Sequence, residues 1–191
     1  MKIGKWKRKI LTAVAALALV GTGVYGTAKE TDLFDGRIPA HVRVNGKDKE
    51  LEIPDYNLIK VRPANCSKYA RMCAEDVFGK HYSFANAWDR RYEDKLVCKA
   101  DNLENLAASE TLQPGMLVTW RNSGSRYIQG TDESGADRNC SHVAVYVGID
   151  SKTNELLFAE QRGTKKQVVG YKQMKNEGWT PIEVIDSRDN N

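Results

Sequence analysis

The chain contains 191 residues and 41% of them are hydrophobic, which is enough apolar material for one folded domain with additional segments. Its formal net charge is +4, but five of its 29 Lys and Arg residues lie within the first nine positions, and the remaining 24 are balanced by 25 Asp and Glu. The folded body is therefore nearly neutral and lacks the basic surface that binding to nucleic acid requires.

The first 28 residues have the pattern of an export signal or a membrane anchor. The basic N-terminus precedes residues 10–28, an uncharged run rich in Ala, Leu and Val. Its apolar centre is short for a membrane span, and Gly26-Thr27-Ala28 has the small residues of a cleavage site. Taken whole, residues 10–28 are just long enough to span an inner membrane with the basic end inside. Both readings predict an exported protein that is secreted, periplasmic or held at the cell surface.

Residues 29–54 are predicted to be a linker and an accessory hairpin. Residues 31–39 are polar and rich in turn-forming residues. The segments on either side of Asn45-Gly46 alternate in character, and this dipeptide is a strong signal for a two-residue hairpin turn. The remaining residues, 55–191, are expected to form the main domain.

A reactive cysteine is predicted at the start of the first helix. Pro63 disfavours helix for the residue before it and Asn65 is a good N-cap, so the helix is expected to run from Cys66 to Phe78. The unpaired N–H groups at a helix N-terminus stabilise an anion and thereby lower the pKa of a thiol. Cys66 is therefore the candidate nucleophile.

Two residues near Cys66 are candidates for contacting a substrate or an oxyanion. Asn65 immediately precedes the cysteine, and Tyr56 lies in the segment that leads to the helix. Tyr56 either lines the approach to Cys66 or fills the core, and core packing is the more common role of an aromatic side chain.

The four cysteines fit an oxidising compartment in which one disulfide is possible. A nucleophilic Cys66 must stay free, and Cys73, two helical turns further on, has the spacing of a small buried core residue. Spacing does not fix a pairing, and Cys98 with Cys140 is the pair that we consider.

The chain changes from helical to strand-like patterns after about residue 116. A second helix is predicted over residues 84–92, with Trp88 packing on the first helix, and a weaker helix over residues 101–109. Strands are predicted at residues 117–120, 165–169 and 179–185, and residues 121–139 have the composition of a long surface loop. The expected fold class is α+β, with helices in the N-terminal half and an antiparallel sheet in the C-terminal half.

A base and an orienting carboxylate are predicted on two neighbouring strands. His142 opens an alternating, β-branched run that ends at Gly148, and the next strand-like run carries Glu160 near its end. Antiparallel pairing of these strands brings Glu160 beside His142. Together with Cys66 they have the order of a nucleophile, a base and an orienter, a set that needs no metal or cofactor.

Three blocks resemble the papain-like cysteine hydrolases of bacterial cell walls, namely the CHAP amidase/peptidase group and the NlpC-type peptidases. The blocks are residues 65–70 around the cysteine, residues 114–120 with Pro-Gly at a strand entry, and residues 141–148 around the histidine. Their order along the chain is that of the family. The resemblance implies a papain-like domain over residues 55–191, with the nucleophile helix packed on the sheet that carries the histidine.

The resemblance also assigns roles to residues after the histidine strand. Phe158-Ala159-Glu160-Gln161 is similar to the CHAP pattern, in which the glutamate is the third catalytic residue, whereas NlpC-type members commonly have a second histidine there. CHAP members often have an asparagine two residues further on, where this chain has Arg162, so Gln161 is the substitute candidate for a substrate or oxyanion contact. The implied activity is cleavage of peptidoglycan amide bonds, as an endopeptidase or an N-acetylmuramoyl-L-alanine amidase.

Two other classes of function remain open. A surface or binding protein of the same fold would keep the scaffold without catalysis. A zinc site built from Cys140, His142 and another cysteine is a weaker hypothesis, because structural zinc usually has four ligands in two paired clusters.

Overall fold

The fold is known from a computed structural model, which describes residues 34–56, 66–82, 95–122 and 140–187. The export segment, Asn65, the helix predicted over residues 84–92 and most of the loop predicted at residues 121–139 lie outside these ranges. Within the described ranges, every helix is too short or too polar to cross a membrane.

These ranges contain eight strands and three helices, and strand is the dominant structure. In chain order they are β1 (Phe34–Val44), β2 (Lys47–Tyr56), α1 (Cys66–Phe78), β3 (Lys95–Lys99), α2 (Leu103–Ala108), β4 (Leu117–Asn122), β5 (His142–Asp150), β6 (Leu156–Arg162), β7 (Lys165–Gly170), α3 (Tyr171–Asn176) and β8 (Trp179–Asp186). All strand pairings are antiparallel. The predicted mixture of helices with an antiparallel sheet is thus confirmed.

The strands form one sheet in which β5 is the central member. The order along the sheet is β2-β1-β5-β4-β8-β3, and β5 also pairs with β6, which in turn pairs with β7. The expected division into an N-terminal helical half and a C-terminal sheet is wrong in one respect, because β1, β2 and β3 all come from the N-terminal half.

The predicted hairpin is present, but it belongs to the main sheet. Asn45 and Gly46 have φ angles of 51° and 71°, as a two-residue turn with the twist of a hairpin requires. The first strand begins at Phe34, inside the segment predicted to be a linker, and it pairs with the end of β5. This contact depends on Gly148, where a Cβ atom would lie 3.1 Å from Cβ of Val42.

Helices cover both faces of the sheet and give it two cores. Val143, Val145 and Val147 of β5 belong to the core on the α1 side, whereas Ala144 and Tyr146 belong to the other core. This division follows from the alternation of side chains along a strand. The first core fixes α1, and so Cys66, against β5.

The cysteines do not form the disulfide that we considered. Cys140 is buried in the core on the α1 side, whereas Cys98 packs against the core on the opposite side of the sheet, so no bond joins them. Cys73 is fully buried in the first core, as its spacing in the helix predicted. Burial raises the pKa of the Cys73 thiol, which is therefore protonated and inert at neutral pH.

Gly115 is expected to be a sensitive position, because its φ is +87° and an added Cβ would lie 2.6 Å from Cβ of Phe78. Substitution by alanine should lower the free energy of unfolding by about 2–4 kcal/mol through backbone strain and overpacking. The matched control is Gly79→Ala, which has a φ of +67° and open space around the new methyl group, so about 1 kcal/mol is expected. Equal losses in urea denaturation would contradict the packing argument.

Candidate active site

The candidate nucleophile lies at the N-terminus of α1, as the sequence predicted. Cys66 is the first residue of the helix and is partly buried. The buried face of α1, which includes Tyr69, Ala70 and Cys73, packs in the same core as Val143 and Val145 of β5. This packing holds the start of the helix beside the start of β5.

His142 is the first residue of β5 and is almost fully buried, with 4% of its surface exposed. The register that pairs Val145 with Ala159 places the following residue, Glu160, close to the start of β5. His142 Nε2 and Glu160 Oε2 are 2.7 Å apart, the distance of a strong hydrogen bond. The sequence argument for placing this glutamate beside the histidine therefore agrees with the observed geometry.

The thiol of Cys66 and the ring of His142 are also hydrogen-bonded. Because Nε2 is engaged by Glu160, Nδ1 is the ring nitrogen left to bond the sulfur. The backbone N–H of Val143 donates a further hydrogen bond to the sulfur. A continuous chain of hydrogen bonds thus links the thiol, the imidazole and the carboxylate.

These contacts shift the pKa values of all three groups toward their charged forms. Burial by itself raises the pKa of the Cys66 thiol, but the hydrogen bond and charge of His142 outweigh it, and the pKa is lowered. Burial also opposes a charged His142, yet its hydrogen bonds to Cys66 and Glu160 raise its pKa to about 9. Despite burial, His142 and two neighbouring groups lower the pKa of Glu160. The three shifts therefore favour a thiolate, an imidazolium and a carboxylate.

Two neighbours of Glu160 were not predicted from the sequence. Gln167 of β7 donates a hydrogen bond of 2.7 Å from Nε2 to Oε1 of the glutamate, and Arg162 places Nε 2.6 Å from the same oxygen. A signal for Gln167 was present in the sequence, because Gly163-Thr164 is a two-residue hairpin turn, and the resulting register pairs Gln167 with Glu160.

Trp179 is a neighbour of His142 and Arg162 that was not predicted from the sequence. Its ring centroid lies 5.0 Å from that of His142, with the planes tilted by 45°. The guanidinium carbon of Arg162 lies 5.2 Å from the Trp179 ring centroid. This indole shields one side of the imidazole. No local pattern indicates the contact, because the two residues meet only through strand order.

The other predicted contact residues have different surroundings. Tyr56 is 1% exposed, and its hydroxyl donates to the Asp76 carboxylate and lies 3.2 Å from the Met72 carbonyl oxygen. It therefore fills the core and ties β2 to α1, which is the role that the sequence favoured over a contact with substrate. Burial, followed by the hydrogen bond to Asp76, raises the pKa of Tyr56. Asn65 lies outside the described residues.

Gln161 is buried and its side-chain amide donates a hydrogen bond of 2.6 Å to the Gly163 carbonyl, inside the β6–β7 turn. Since neighbouring residues of a strand point to opposite faces, Gln161 faces away from the side occupied by Glu160. The turn, and not a substrate, engages its donor group.

The described residues do not offer a metal site. Among residues 34–56, 66–82, 95–122 and 140–187, no three His, Cys, Asp or Glu side chains are grouped closely enough to hold an ion. The zinc hypothesis built on Cys140 and His142 therefore finds no ligand set within these ranges.

Comparison of the chain with protein-family models, with curated proteins and with solved structures found no match.

Proposed function

We propose that this protein is an exported cysteine hydrolase that cleaves amide bonds in cell-wall peptides, as an endopeptidase or an N-acetylmuramoyl-L-alanine amidase. The observation that carries the proposal is the chain of hydrogen bonds from Cys66 through His142 to Glu160. A nucleophile, a base and an orienting group in this arrangement are the components of acyl transfer. The three come from separate elements, and each is adjacent to a buried core.

The reaction would proceed in two steps. The Cys66 thiolate attacks the carbonyl carbon of the amide, the C–N bond breaks, and the His142 imidazolium gives its proton to the departing amine. The acyl group stays on sulfur as a thioester. A water molecule then attacks the thioester while His142 accepts its proton, and the thiolate is released with the carboxylic acid.

Glu160 would keep the imidazole oriented through both steps. Its hydrogen bond to Nε2 leaves Nδ1 directed at the sulfur, and its charge stabilises the imidazolium. Backbone N–H groups at the start of α1 are suited to hold the oxyanion, because they have no partner within the helix.

The substrate class is supported by the sequence. The three blocks that resemble CHAP and NlpC-type hydrolases contain the cysteine, the strand entry and the histidine. The apolar N-terminal segment would direct the protein to the compartment that contains peptidoglycan.

Digestion of a defined peptidoglycan preparation, with products identified by mass spectrometry, tests this proposal. The expected products carry one new amino group and one new carboxyl group, either within the peptide or at its junction with the sugar. Muropeptides that remain intact, or new reducing sugar ends without new amino groups, would contradict it.

A binding protein of the same scaffold is the second candidate, and thiol alkylation separates it from an enzyme. Iodoacetamide should label Cys66 faster than Cys98 at pH 6–7, because the Cys66 pKa is lowered and burial raises that of Cys98. His142→Ala should slow the labelling of Cys66 and leave Cys98 unchanged. Slow labelling of both cysteines in the wild type, measured by peptide mass spectrometry, would favour the binding protein.

At high pH, the rate of Cys66 labelling and the rate of hydrolysis should respond differently. A group with a raised pKa keeps its proton until the pH exceeds the raised value, so His142 remains an acid up to about pH 9. Above that pH, hydrolysis should fall because the leaving amine is no longer protonated. Labelling of Cys66 should persist, since the thiolate remains.

A further inference from the structure

Arg162 occupies an unusual position beside the Glu160 carboxylate. Its Nε lies 2.6 Å from Oε1, the oxygen that does not contact His142, and the two form an ion pair without the geometry of a hydrogen bond. The side chain of Arg162 is 25% exposed, whereas that of Glu160 is fully buried. The guanidinium therefore contacts the carboxylate oxygen Oε1 from the more exposed side, and the imidazole contacts the other oxygen, Oε2.

Arg162 is itself held by several groups outside the catalytic residues. Its Nη1 donates to the Glu177 carboxylate, its Nη2 lies 2.7 Å from the Met174 sulfur, and its planar head lies over Trp179. These contacts fix the direction from which the guanidinium approaches Glu160. Since Trp179 also packs on His142, one indole contacts both the cation and the base.

We propose that Arg162 is a positioning residue that acts through Glu160: its charge lies against one carboxylate oxygen while the other stays on His142, and that charge sets the pH range of the thiolate. This inference rests on the proposed function and deepens it. Without Arg162, Glu160 would retain Gln167 and His142 as partners but would lose its only neighbouring fixed cation among the described residues.

The charged groups around the carboxylate come from few elements. From α1, Cys66 interacts with the carboxylate indirectly, through His142. Tyr69, also on α1, lies near it, and the pKa of Tyr69 is raised by burial and by nearby charges that include Glu160. On β6 it has Arg162, and on β7 the neutral Gln167. Glu177, which follows α3, contacts Arg162. Removing a positive charge from this set makes every neighbouring group lose its proton less readily, so the pKa of each group rises. Both limbs of the pH profile of hydrolysis, the lower set by Cys66 and the upper by His142, should therefore move to higher pH.

The test compares Arg162→Gln with the wild type by the pH dependence of Cys66 alkylation, which needs no substrate. On the lower limb of the profile, labelling of Cys66 should be about five-fold slower in Arg162→Gln, and its midpoint should lie at higher pH. Arg162→Lys keeps the charge, so its midpoint should return toward that of the wild type. An unchanged midpoint in Arg162→Gln would overturn the proposal.

The matched control is Glu177→Gln, which removes the other carboxylate on Arg162 and leaves Glu160 untouched. If Arg162 only ties β6 to α3, both variants should lose similar stability and neither should shift the alkylation midpoint, and this result would also overturn the proposal. Arg162→Met keeps an apolar stem over Trp179 and replaces Arg162→Gln if that variant does not fold. If both neutral variants fail to fold while Glu177→Gln folds, the arginine is a structural residue and the proposal is wrong.

The outcome distinguishes this inference from the proposed function. A wild-type Cys66 that is unreactive at neutral pH removes the proposed hydrolase and, with it, the role of Arg162. If Cys66 is reactive and its reactivity depends on His142, but the pH profile of its alkylation is unchanged by substitution of Arg162, only the positioning role is removed.

Discussion

Replacement of Cys66 by alanine is expected to lower the rate of peptidoglycan amide hydrolysis by at least about 10³-fold. The reason is that no other described group can form the acyl intermediate: His142 and Glu160 remain in place, but neither can replace the sulfur. The rate should be measured as kcat/KM on a purified muropeptide, with unfolding in urea as a check on the fold.

The matched control for this prediction is Cys98→Ala, which removes a partly buried thiol on the other side of the sheet. Its activity should stay within about two-fold of the wild type. Cys66→Ser is a second informative variant, because a hydroxyl is a much weaker nucleophile than a thiolate at neutral pH, and its residual rate should be close to that of Cys66→Ala. A Cys66→Ala protein that hydrolyses muropeptide at the wild-type rate would remove the proposed mechanism.

Substitution of Glu160 by glutamine is expected to lower kcat/KM by about 10²–10⁴-fold. The carboxamide keeps the size of the side chain but removes the charge that stabilises the His142 imidazolium. The thiol–imidazole pair should then favour its neutral form. Because loss of a nearby negative charge lowers the pKa of His142, the upper limb of the pH profile should move from about pH 9 to lower pH.

The same substitution should also lower the free energy of unfolding, by about 1–3 kcal/mol, because Arg162 loses a buried charged partner. Glu183→Gln is the control, since Glu183 is another fully buried carboxylate and pairs with Lys99 at 3.0 Å. A similar loss of stability is expected there with little loss of activity. If the two variants lose activity equally, the effect of Glu160→Gln is a general consequence of burial and does not come from His142.

Local patterns in the sequence were sufficient to place the three candidate catalytic residues on their elements. Asn65 and Pro63 predicted a helix that begins at Cys66, and α1 begins there. The alternating run after His142 predicted a strand that begins at this histidine, and β5 does. Capping, periodicity and turn chemistry are properties of a few consecutive residues, so one sequence is enough to recognise them.

Contacts between distant segments were decided by the tertiary structure. Nothing in the sequence indicated that Trp179 packs on His142. The sequence also left the disulfide open, and the structure places Cys98 and Cys140 in cores on opposite sides of the sheet. Each of these facts depends on strand order and on the face that a residue occupies.

The sequence by itself thus determined which residues are the candidates for nucleophile, base and orienter, since their chemistry and local conformation are encoded within short segments. Antiparallel pairing predicted that Glu160 lies beside His142, but the tertiary structure alone decided that Cys66 meets this pair, because α1 and β5 are brought together by a core whose members come from many parts of the chain. Burial and hydrogen bonding in that assembly then set the pKa values of Cys66 and His142, and these are collective properties that no segment possesses in isolation.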